Sequence, residues 1–550
     1  MAEATAAEAP PPSAPAIRPP TLTAAQAYGN WKPKYNPWIV ALTVTLATFM
    51  EVLDTSIANV ALPHIAGGLA ATPDEATWVL TSYLVSNAVV LPLSGWLSTI
   101  LGRKRFYMTC VAIFTASSFL CGFAPSLGAL VFFRIVQGLG GGGLATSEQA
   151  ILADTFSLEK RGMAFAVYGM AIVLAPAVGP TLGGWITDNF SWRWIFYINV
   201  PVGLLSLYLT RKIVEDPPYM ETERLRVLRS PIDYRGIALI FVGIGCLQYV
   251  LDKGQEDDWF ASRLITSLLF TGVLCTVLFV INEWKHSNPV VDVRLLQHRN
   301  FATAACFMFV LGSVMFGTTV LMPQFLQVQM GYTAQSAGEA LSLGAFVLMF
   351  MMPVVGQLVT RVDPRFLIAT GFTITSLALY HMTVLNLGID FHTAAMMRVY
   401  QTMGMAFIFI PISTMAYIGI PRHKSNQVAG INNLMRNLGG SVGIAMLSTF
   451  LIRLGQKHRV YLVAHASEGD PQFAQRIAGL THTFTSQGIP ANQAHSQAYA
   501  ILDRSISVQA STLAYIDIIS VMAVAILCLV PFVLLMRRPK RGGAQSAPAH

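Results

Sequence analysis

Charged residues are scarce in this chain. Only 12% of its 550 residues are Asp, Glu, Lys or Arg, whereas 54% are hydrophobic. Soluble domains carry about 25% charged residues, so this composition excludes a soluble globular protein. The formal net charge of +8 is spread over the gaps between apolar runs. That distribution suits anionic lipid headgroups of a bilayer and argues against a nucleic-acid partner.

Cysteine is sparse as well, and motifs for nucleotide chemistry are missing. All six cysteines fall within long apolar runs, so we interpret them as small apolar side chains rather than disulfide partners or metal ligands. The sequence contains no Gly-x4-Gly-Lys-Ser/Thr loop, which excludes ATP hydrolysis by that route. Neither a metal-ligand spacing nor a nucleophile–base spacing occurs. We therefore expect no metal, no cofactor and no enzymatic activity.

Long apolar runs are abundant, by contrast. About 20 apolar residues at ~1.5 Å per residue cover the ~30 Å hydrocarbon core of a bilayer. Fourteen runs reach this length, which predicts an all-α integral membrane protein. The predicted spans, numbered one to fourteen, are 38–62, 76–100, 106–123, 127–150, 163–186, 193–210, 236–251, 264–282, 301–322, 338–359, 366–386, 393–417, 427–452 and 513–536.

The basic residues predict the orientation of these spans. Most Lys and Arg residues lie in the two terminal tails and in the gaps that follow even-numbered spans. Few lie in the short gaps that follow odd-numbered spans. Because cytoplasmic loops are enriched in Lys and Arg, both termini are predicted to be cytoplasmic. Arg134, Arg398 and Arg436 lie inside spans instead. A charge at membrane depth is costly, so these three are candidates for function.

The sequence repeats itself at an offset of 264 residues. Arg134 and Gln137 in span four match Arg398 and Gln401 in span twelve, which makes the second pair candidate cavity residues. Since spans four and twelve are eight apart, two six-helix bundles are predicted to flank two additional spans, seven and eight. The predicted segments are a disordered cytoplasmic tail (1–37), a first six-helix bundle (38–213), a linker with the two additional spans (214–299), a second six-helix bundle (300–536) and a cytoplasmic tail (537–550).

Two carboxylates lie together near the external end of span one. Glu51 and Asp54 are three residues apart and share one helical face. A carboxylate at this depth marks a proton or substrate path, although a fixed ion pair or a helix-cap network remains an alternative for each. Asp54 lies ~12 Å and Arg134 ~11 Å from the external ends of their spans, so the two charges are level. We predict an Asp54–Arg134 interaction that weakens when Asp54 is protonated, with Gln137 one turn away.

Four other polar residues inside or near spans are further candidates. Glu148 is either a second titrating or cation-recognising group or an interfacial charge that reaches water. Asn59 is a candidate cavity residue. Arg436 in span thirteen and Asp517 near the outer end of span fourteen are candidates for an ion pair within the second half.

Glycine and proline are concentrated in span five. Gly179, Pro180, Gly183 and Gly184 fall within two helical turns. Small residues let a neighbouring helix approach closely, and proline bends a helix and frees backbone carbonyls. We interpret this segment as a mechanical hinge between the halves, with generic small-residue packing as the alternative.

Together these motifs resemble the major facilitator superfamily, specifically its fourteen-span drug:proton antiporter branch (the EmrB/QacA type). The likeness covers residues 38–538. It rests on Leu-Asp-Thr-Ser-Ile-Ala-Asn-Val-Ala-Leu-Pro at 53–63, on Arg-x-x-Gln-Gly at 134–138, on the glycine–proline motif at 179–184 and on the aromatic segment 192–201. The resemblance implies the major facilitator fold, and the motif in span five implies exchange rather than uptake.

The cytoplasmic loop between spans two and three departs from that branch. Its fitting residues are Gly95, Gly102, Arg103 and Lys104. Thr99 and Ile100 stand where relatives have an acid and its basic neighbour. The resemblance therefore does not carry over the charge latch that this acid forms in relatives. We expect the basic residues to act instead on lipid headgroups or on a helix end.

The segment 453–512 after span thirteen is the only large external segment that the spans predict. Its apolar residues recur at helical spacing, which predicts a hairpin of two amphipathic helices, the second running into span fourteen. It is either a cap over the translocation path or a docking surface for a periplasmic partner. The resemblance favours a membrane-fusion adaptor and an outer-membrane channel as partners, and hence a bacterial inner membrane.

The resemblance thus implies a proton-coupled exporter of small amphipathic drugs or toxic compounds, driven by the proton gradient through alternating access. A dedicated exporter of a single metabolite or siderophore remains an alternative on the same scaffold. A non-transporting membrane receptor needs no intramembrane carboxylates, so Glu51 and Asp54 argue against that class.

Overall fold

The computed structural model describes residues 33–229, 231–464, 466 and 469–537. Its regular secondary structure is helical throughout this part of the chain, so the predicted all-α membrane fold is confirmed. Most of the predicted amino-terminal tail (1–37) and nearly all of the carboxyl-terminal tail (537–550) lie outside the described residues.

Helices occupy all fourteen predicted spans. Their bounds, in order of span, are Pro37–Gly68; Trp78–Leu101; Arg103–Gly122; Leu127–Gly141 with Leu144–Thr155; Leu158–Asn189; Trp194–Tyr197 with Asn199–Ile213; Tyr234–Lys253; Arg263–Lys285; Arg299–Gln324; Ala334–Arg361; Pro364–Met382; Phe391–Met415; Ser425–Ala464; and Ala491–Leu527.

Twelve of these helices are long and apolar enough to cross a membrane. The two that fall short are spans six and eleven. Span six is interrupted at Ile198, and span eleven carries Arg365 and His381 near its ends, which lowers its mean hydropathy. The count of fourteen membrane crossings therefore stays a prediction for these two helices.

Span four is divided by Gly142 and Gly143. A β-carbon at Gly142 would lie 2.6 Å from the backbone oxygen of Asn87 in span two, and one at Gly143 would lie 2.4 Å from the sulfur of Cys110 in span three. Only glycine permits such close packing of neighbouring helices. The break separates the part of span four that carries Arg134 from the part that carries Glu148.

The spans pack first within each half and then across the junction between halves. Span one lies against spans five and six, and span four against two and three. In the second half, span thirteen lies against nine and fourteen, and span twelve against ten and eleven. The halves meet where span five contacts ten and span two contacts thirteen, and span seven touches both two and thirteen. The exact domain boundaries stay a prediction.

The halves pack tightly at the end predicted to be cytoplasmic. A β-carbon at Gly95 of span two would lie 3.1 Å from the backbone oxygen of Asn426 at the start of span thirteen. A β-carbon at Gly162 of span five would lie 3.0 Å from the backbone oxygen of Gly356 in span ten. At these contacts the two backbones leave no room for a side chain, so this end of the molecule is closed there.

The segment after span thirteen forms a helical hairpin, as its periodicity predicted. The helix of span thirteen continues to Ala464, well past its predicted end at 452. The helices Pro471–Ser486 and Ala491–Leu527 then pack against each other, and the second runs without interruption into span fourteen. Part of the segment predicted as a loop is therefore an extension of span thirteen.

Candidate functional site

Asp54 lies at the centre of a buried polar cluster in the first half. Its carboxylate accepts hydrogen bonds from Arg134 Nη1 at 2.6 Å, Gln137 Nε2 at 3.1 Å and Asn199 Nδ2 at 2.6 Å. All four side chains belong to residues that are at most 2% exposed. A carboxylate withdrawn from water is tolerated when it is paired and hydrogen-bonded in this way. The structure thus brings together the two charges that the depth argument placed level.

Arg134 has acceptors besides this carboxylate. Its Nε donates to the backbone oxygen of Val79 at 3.0 Å, and its Nη1 also donates to Gln137 Oε1 at 2.9 Å. The guanidinium carbon lies 4.5 Å from the centre of the Tyr83 ring, within the range of a cation–π interaction. Several interactions would therefore hold Arg134 in place if Asp54 lost its charge.

Asn199 is the member of the cluster that sequence reasoning missed. It begins the helix Asn199–Ile213 of span six, and its Nδ2 also donates to Ser118 Oγ at 3.0 Å. The signal was present in the aromatic segment 192–201, where Asn199 is a polar residue between Ile198 and Val200. Its partner was not predictable, because the break at Ile198 sets the direction of the side chain.

Glu51 and Glu148 do not join this cluster. Glu51 Oε1 accepts from Asn87 Nδ2 at 2.9 Å and from the Tyr83 hydroxyl at 3.3 Å. Glu148 is fully buried, and its Oε1 accepts from Thr45 Oγ1 at 2.5 Å. The alternative that Glu148 is an interfacial charge reaching water is therefore wrong, because neighbouring helices enclose it.

Asn59 lies apart from both groups. Its side chain is exposed, and its Nδ2 donates to the backbone oxygen of Thr55 one turn earlier at 3.3 Å. The structure does not bring Asn59 into contact with the Asp54 cluster.

The second half repeats the arginine–glutamine pair without its carboxylate. Arg398 Nη1 donates to Gln401 Oε1 at 2.8 Å and to Thr318 Oγ1 at 2.9 Å, and Nη2 donates to Thr319 Oγ1 at 2.8 Å. Thr318 lies 264 residues after Asp54, so the repeat extends to this position with a hydroxyl in place of the acid. Among the described residues, no carboxylate forms an ion pair with Arg398.

Proline in span five frees a backbone oxygen that span one uses. Pro180 has no N–H group, so the carbonyl of Pro176 loses its helical donor. Ser56 Oγ of span one donates to this oxygen at 3.3 Å. The polar contact between spans one and five therefore depends on the proline.

The glycines of this motif differ in how closely they are packed. A β-carbon at Gly179 would lie 2.4 Å from Ser56 Oγ, and one at Gly183 would lie 3.1 Å from a methyl carbon of Ile57. A β-carbon at Gly184 would meet nothing within 4 Å. Gly179 and Gly183 form the close face of span five against span one, and Gly184 points into open space.

Arg103 forms a buried ion pair with Asp154 at the end of span four that is predicted to be cytoplasmic. It is 1% exposed, and its Nη2 donates to the Tyr219 hydroxyl at 3.2 Å. Tyr219 in turn donates to Asp154, and burial raises the pKa of the Tyr219 hydroxyl, which keeps its proton. Ser425 Oγ, at the start of span thirteen, lies 3.4 Å from Asp154. The expectation that Arg103 acts on lipid headgroups is wrong, because span four supplies the acid that the loop lacks.

Gly102 and Lys104 fix the loop beside this ion pair. Gly102 has a φ of 86°, in the left-handed region that favours glycine. The backbone N–H of Lys104 donates to Asp216 Oδ1 at 2.9 Å, and its Nζ donates to the backbone oxygen of Arg211 at 2.7 Å. Arg211 lies in the last turn of span six, so Lys104 does act on a helix end.

The predicted pair between Arg436 and Asp517 is wrong. Arg436 Nη1 donates to the Tyr168 hydroxyl of span five at 3.0 Å, whereas Asp517 Oδ2 lies 2.7 Å from His458 Nε2. His458 is 22 residues beyond Arg436 on one continuous helix, which corresponds to ~33 Å. Asp517 is therefore level with the extension of span thirteen beyond residue 452 and far from Arg436.

Many apolar helices, an internal duplication and buried charges at the centre of each half define a multi-pass membrane transporter. The model of the Major Facilitator Superfamily matches residues 44–444, and the chain belongs to this superfamily, in its EmrB-type drug:proton antiporter branch. Members of this superfamily are transporters rather than enzymes.

Several curated proteins are similar over most of their length. The multidrug export protein EmrB of Haemophilus influenzae is 37% identical over 84% of this chain and 91% of its own. The fatty acid resistance protein FarB of Neisseria gonorrhoeae is 35% identical over 92% of this chain and 97% of its own. The multidrug export protein EmrB of Escherichia coli K12 is 35% identical over 79% of this chain and 84% of its own.

Solved structures of the superfamily share the fold. The proton:xylose symporter XylE superposes with a TM-score of 0.55 at 14% identity, over 78% of this chain and 90% of its own. The human organic anion transporter MFSD10 superposes with a TM-score of 0.54 at 13% identity, over 76% of this chain and 94% of its own. At this identity the likeness concerns the fold alone.

Proposed function

We propose that this protein is an inner-membrane exporter of small amphipathic toxic compounds that exchanges them for protons by alternating access. The relatives named as multidrug export proteins support the substrate class. The observation that carries proton coupling is the burial of Asp54 at membrane depth among Arg134, Gln137 and Asn199. The proton gradient is the energy source, and no cofactor is required.

Protonation of Asp54 changes the balance of forces in its cluster. The ionised carboxylate attracts Arg134 and accepts three hydrogen bonds, whereas the protonated acid loses the ion pair. Arg134 then keeps the backbone oxygen of Val79 and the amide oxygen of Gln137. Because Asp54 lies on span one and Arg134 on span four, a neutral Asp54 loosens the contact between these spans. As a proton is taken up from outside and released inside, the first half would thus alternate between a loosely packed and a tightly packed state.

The central test is Asp54→Asn in purified, reconstituted protein. A pH gradient is imposed on proteoliposomes, and the movement of fluorescent lipophilic cations and weak acids is followed together with internal pH. We expect Asp54→Asn to bind these compounds but to lose gradient-driven movement, since its amide cannot carry a proton. Asp54→Glu is the matched control and should retain coupling. Undiminished proton-coupled transport by Asp54→Asn would refute the proposal.

We further propose that the hairpin of residues 453–512 binds a periplasmic adaptor that leads to an outer-membrane channel. Beyond the predicted membrane edge at 452, Val460 and Val463 are 71% and 45% exposed. A groove of about 640 Å³ lies along the hairpin and is lined by Phe473, Ile477 and Tyr499 among others. Exposed apolar surface outside the membrane is typical of a protein–protein interface.

Substitution of the exposed valines separates a docking surface from a cap. Val460→Asp with Val463→Asp places charge on the apolar face without touching the spans. If the hairpin docks an adaptor, this variant should lose resistance in cells and co-purification with the adaptor but keep transport in proteoliposomes. Loss of transport in proteoliposomes would instead support a cap over the path.

A further inference from the structure

A second group of buried polar side chains lies between the halves, apart from the Asp54 cluster. Asn433 of span thirteen donates to Gln149 Oε1 of span four at 2.9 Å and accepts from the Tyr168 hydroxyl of span five at 3.0 Å. Arg436, one turn after Asn433, donates to the same hydroxyl at 3.0 Å. None of these four residues is more than 6% exposed. A continuous chain of hydrogen bonds therefore joins the first half to the second.

Polar atoms without a protein partner occur in this group and on two carboxyl groups near Arg436, those of Glu51 and Glu148. Within the described residues, Gln149 Nε2 and Arg436 Nε are buried donors without an acceptor. Glu51 Oε2 and Glu148 Oε2 are buried acceptors without a donor. Buried polar atoms in folded proteins are nearly always paired, so four orphans in one region call for an explanation.

Electrostatics connects the donors with the acceptors. The guanidinium of Arg436 lies within Coulombic range of both Glu51 and Glu148, and the two carboxylates act on each other. Arg436 nevertheless forms no ion pair with either of them in the part of the chain that the structure describes. The site thus presents a hydrogen-bond-donating side with a guanidinium group and an accepting side with two carboxyl groups.

We propose that this group recognises compounds that carry both an amine and an acid on one apolar body. The inference rests on the proposed export function and names its substrate class. The ammonium group would donate to the free oxygens of Glu51 and Glu148, and the acid would accept from Arg436 and Gln149. A ligand with only one of these groups leaves the opposite side of the site unsatisfied, which lowers its affinity.

The same contacts explain how binding is linked to opening. Gln149 and Tyr168 belong to the first half, and Asn433 and Arg436 belong to the second. A bipolar ligand that enters between them replaces hydrogen bonds that now join the halves, so the site is occupied when the halves separate. The aromatic pair Tyr168 and Phe409, with ring centres 6.0 Å apart, offers an apolar wall for the body of the ligand.

Three forms of one compound test this inference. Norfloxacin carries an amine and a carboxylate, its methyl ester keeps only the amine, and its N-acetyl derivative keeps only the carboxylate. Binding is measured by equilibrium dialysis on the purified full chain in detergent, without a gradient. We expect the bipolar form to bind about tenfold or more tightly than either single-charge form, since each loses a charge-assisted hydrogen bond. Equal binding of the ester and the parent, or no binding of the parent, would overturn the inference.

Two variants assign the two sides of the site. Arg436→Gln should weaken norfloxacin and the N-acetyl form about tenfold and leave the ester unchanged, whereas Glu148→Gln should weaken norfloxacin and the ester. Arg436→Lys, which keeps the charge, should retain most of the preference and shows that the position tolerates substitution. A preference unaltered in Arg436→Gln would refute the assignment.

The binding assay and the transport assay fail independently. Selective binding of the bipolar form without gradient-driven movement would contradict the proposed antiport and leave the recognition site intact. Gradient-driven export that ignores the charge pattern would contradict the recognition site and leave the antiport intact.

Discussion

Asp54 and Thr318 occupy equivalent positions in the repeat, yet only Asp54 forms an ion pair with the equivalent arginine of its half. In the first half the arginine faces a carboxylate, and in the second half Arg398 faces the hydroxyls of Thr318 and Thr319. A hydroxyl does not ionise in the physiological range, so the second cluster cannot respond to protonation. The two clusters of the duplicated scaffold therefore differ, because the first holds a titratable acid and the second pairs its arginine with hydroxyl and amide groups.

Asn199 tests how much the Asp54 cluster depends on its uncharged members. Removing the donor in Asn199→Ala deprives a buried carboxylate of a hydrogen bond worth roughly 1.5–3 kcal/mol. We expect gradient-driven transport to fall about tenfold or more, with the protein still folded, as measured in proteoliposomes and by thermal unfolding. Asn189→Ala, at the exposed end of span five, removes an amide that bonds only its own helix and should change neither quantity. Equal activity of both variants would show that Asn199 is dispensable.

The contacts of single residues were predictable to different degrees. The rise per residue of a helix is fixed, so counting from the external ends was sufficient to place Asp54 and Arg134 at one depth. Rotation of a helix about its axis is not set by depth. For this reason the sequence did not reveal that Arg436 faces Tyr168, or that Asn199 faces Asp54. The failed pairing of Arg436 with Asp517 is instead a matter of depth, because Asp517 lies level with His458, 22 residues beyond Arg436 on the same helix.

At the scale of elements, span five is a helix that contacts both halves. It lies against span one of its own half and against span ten of the other. Ser56 of span one donates to Pro176, and Ser342 of span ten donates to the backbone oxygen of Ala177 at 3.1 Å. Adjacent carbonyls of one helix thus bond to opposite halves, at the turn that Pro180 weakens. This arrangement favours the hinge interpretation over generic packing.

A matched pair of glycines tests the hinge. Gly179→Ala adds a methyl group where Ser56 already lies, and overpacking of this kind costs roughly 1–3 kcal/mol. We expect transport by Gly179→Ala to drop about tenfold. Gly184→Ala adds the same group in open space and should transport normally. Equal rates for the two variants in proteoliposomes would mean that the close face of span five does not limit movement.

The positions of the helices were predicted well because apolar length alone marks a span. Two features escaped that criterion. The interruption of span four at Gly142 and Gly143 lies inside an apolar run, and the continuation of span thirteen to Ala464 lies in a polar one. Hydropathy does not reveal a break inside a membrane span, and it does not reveal how far a helix continues beyond the membrane.

At the scale of the whole molecule, the end predicted to be cytoplasmic joins three separate parts of the chain. Asp154 of span four binds Arg103 at the start of span three and Tyr219 of the linker helix Tyr219–Leu228. Arg224 of this linker helix donates to the backbone oxygen of Ile100 at 2.8 Å. Together with Ser425 of span thirteen, these contacts tie the first half, the linker and the second half at the closed end. The proposed alternating access requires that these contacts separate when this end opens.

Asp154→Asn is therefore expected to loosen the contacts at this closed end. The substitution leaves the buried Arg103 without its counter-charge, which typically costs about 3–5 kcal/mol. We expect a lower unfolding temperature and faster hydrogen–deuterium exchange at residues 95–103 and at the start of span thirteen. Asp363→Asn is the matched control, because Asp363 lies 264 residues after Thr99 in the equivalent loop of the second half.

The control should behave differently for a stated reason. Asp363 lies 3.5 Å from Arg365, and both side chains are about one-fifth exposed (20% and 19%), so the loss of this pair should cost about 1 kcal/mol or less. Asparagine also preserves the cap that Asp363 provides to span eleven. Faster exchange confined to Asp154→Asn would link the charge that span four contributes to the closure of both halves. Identical exchange in the two variants would mean that backbone packing at Gly95 and Gly162 holds the end closed without it.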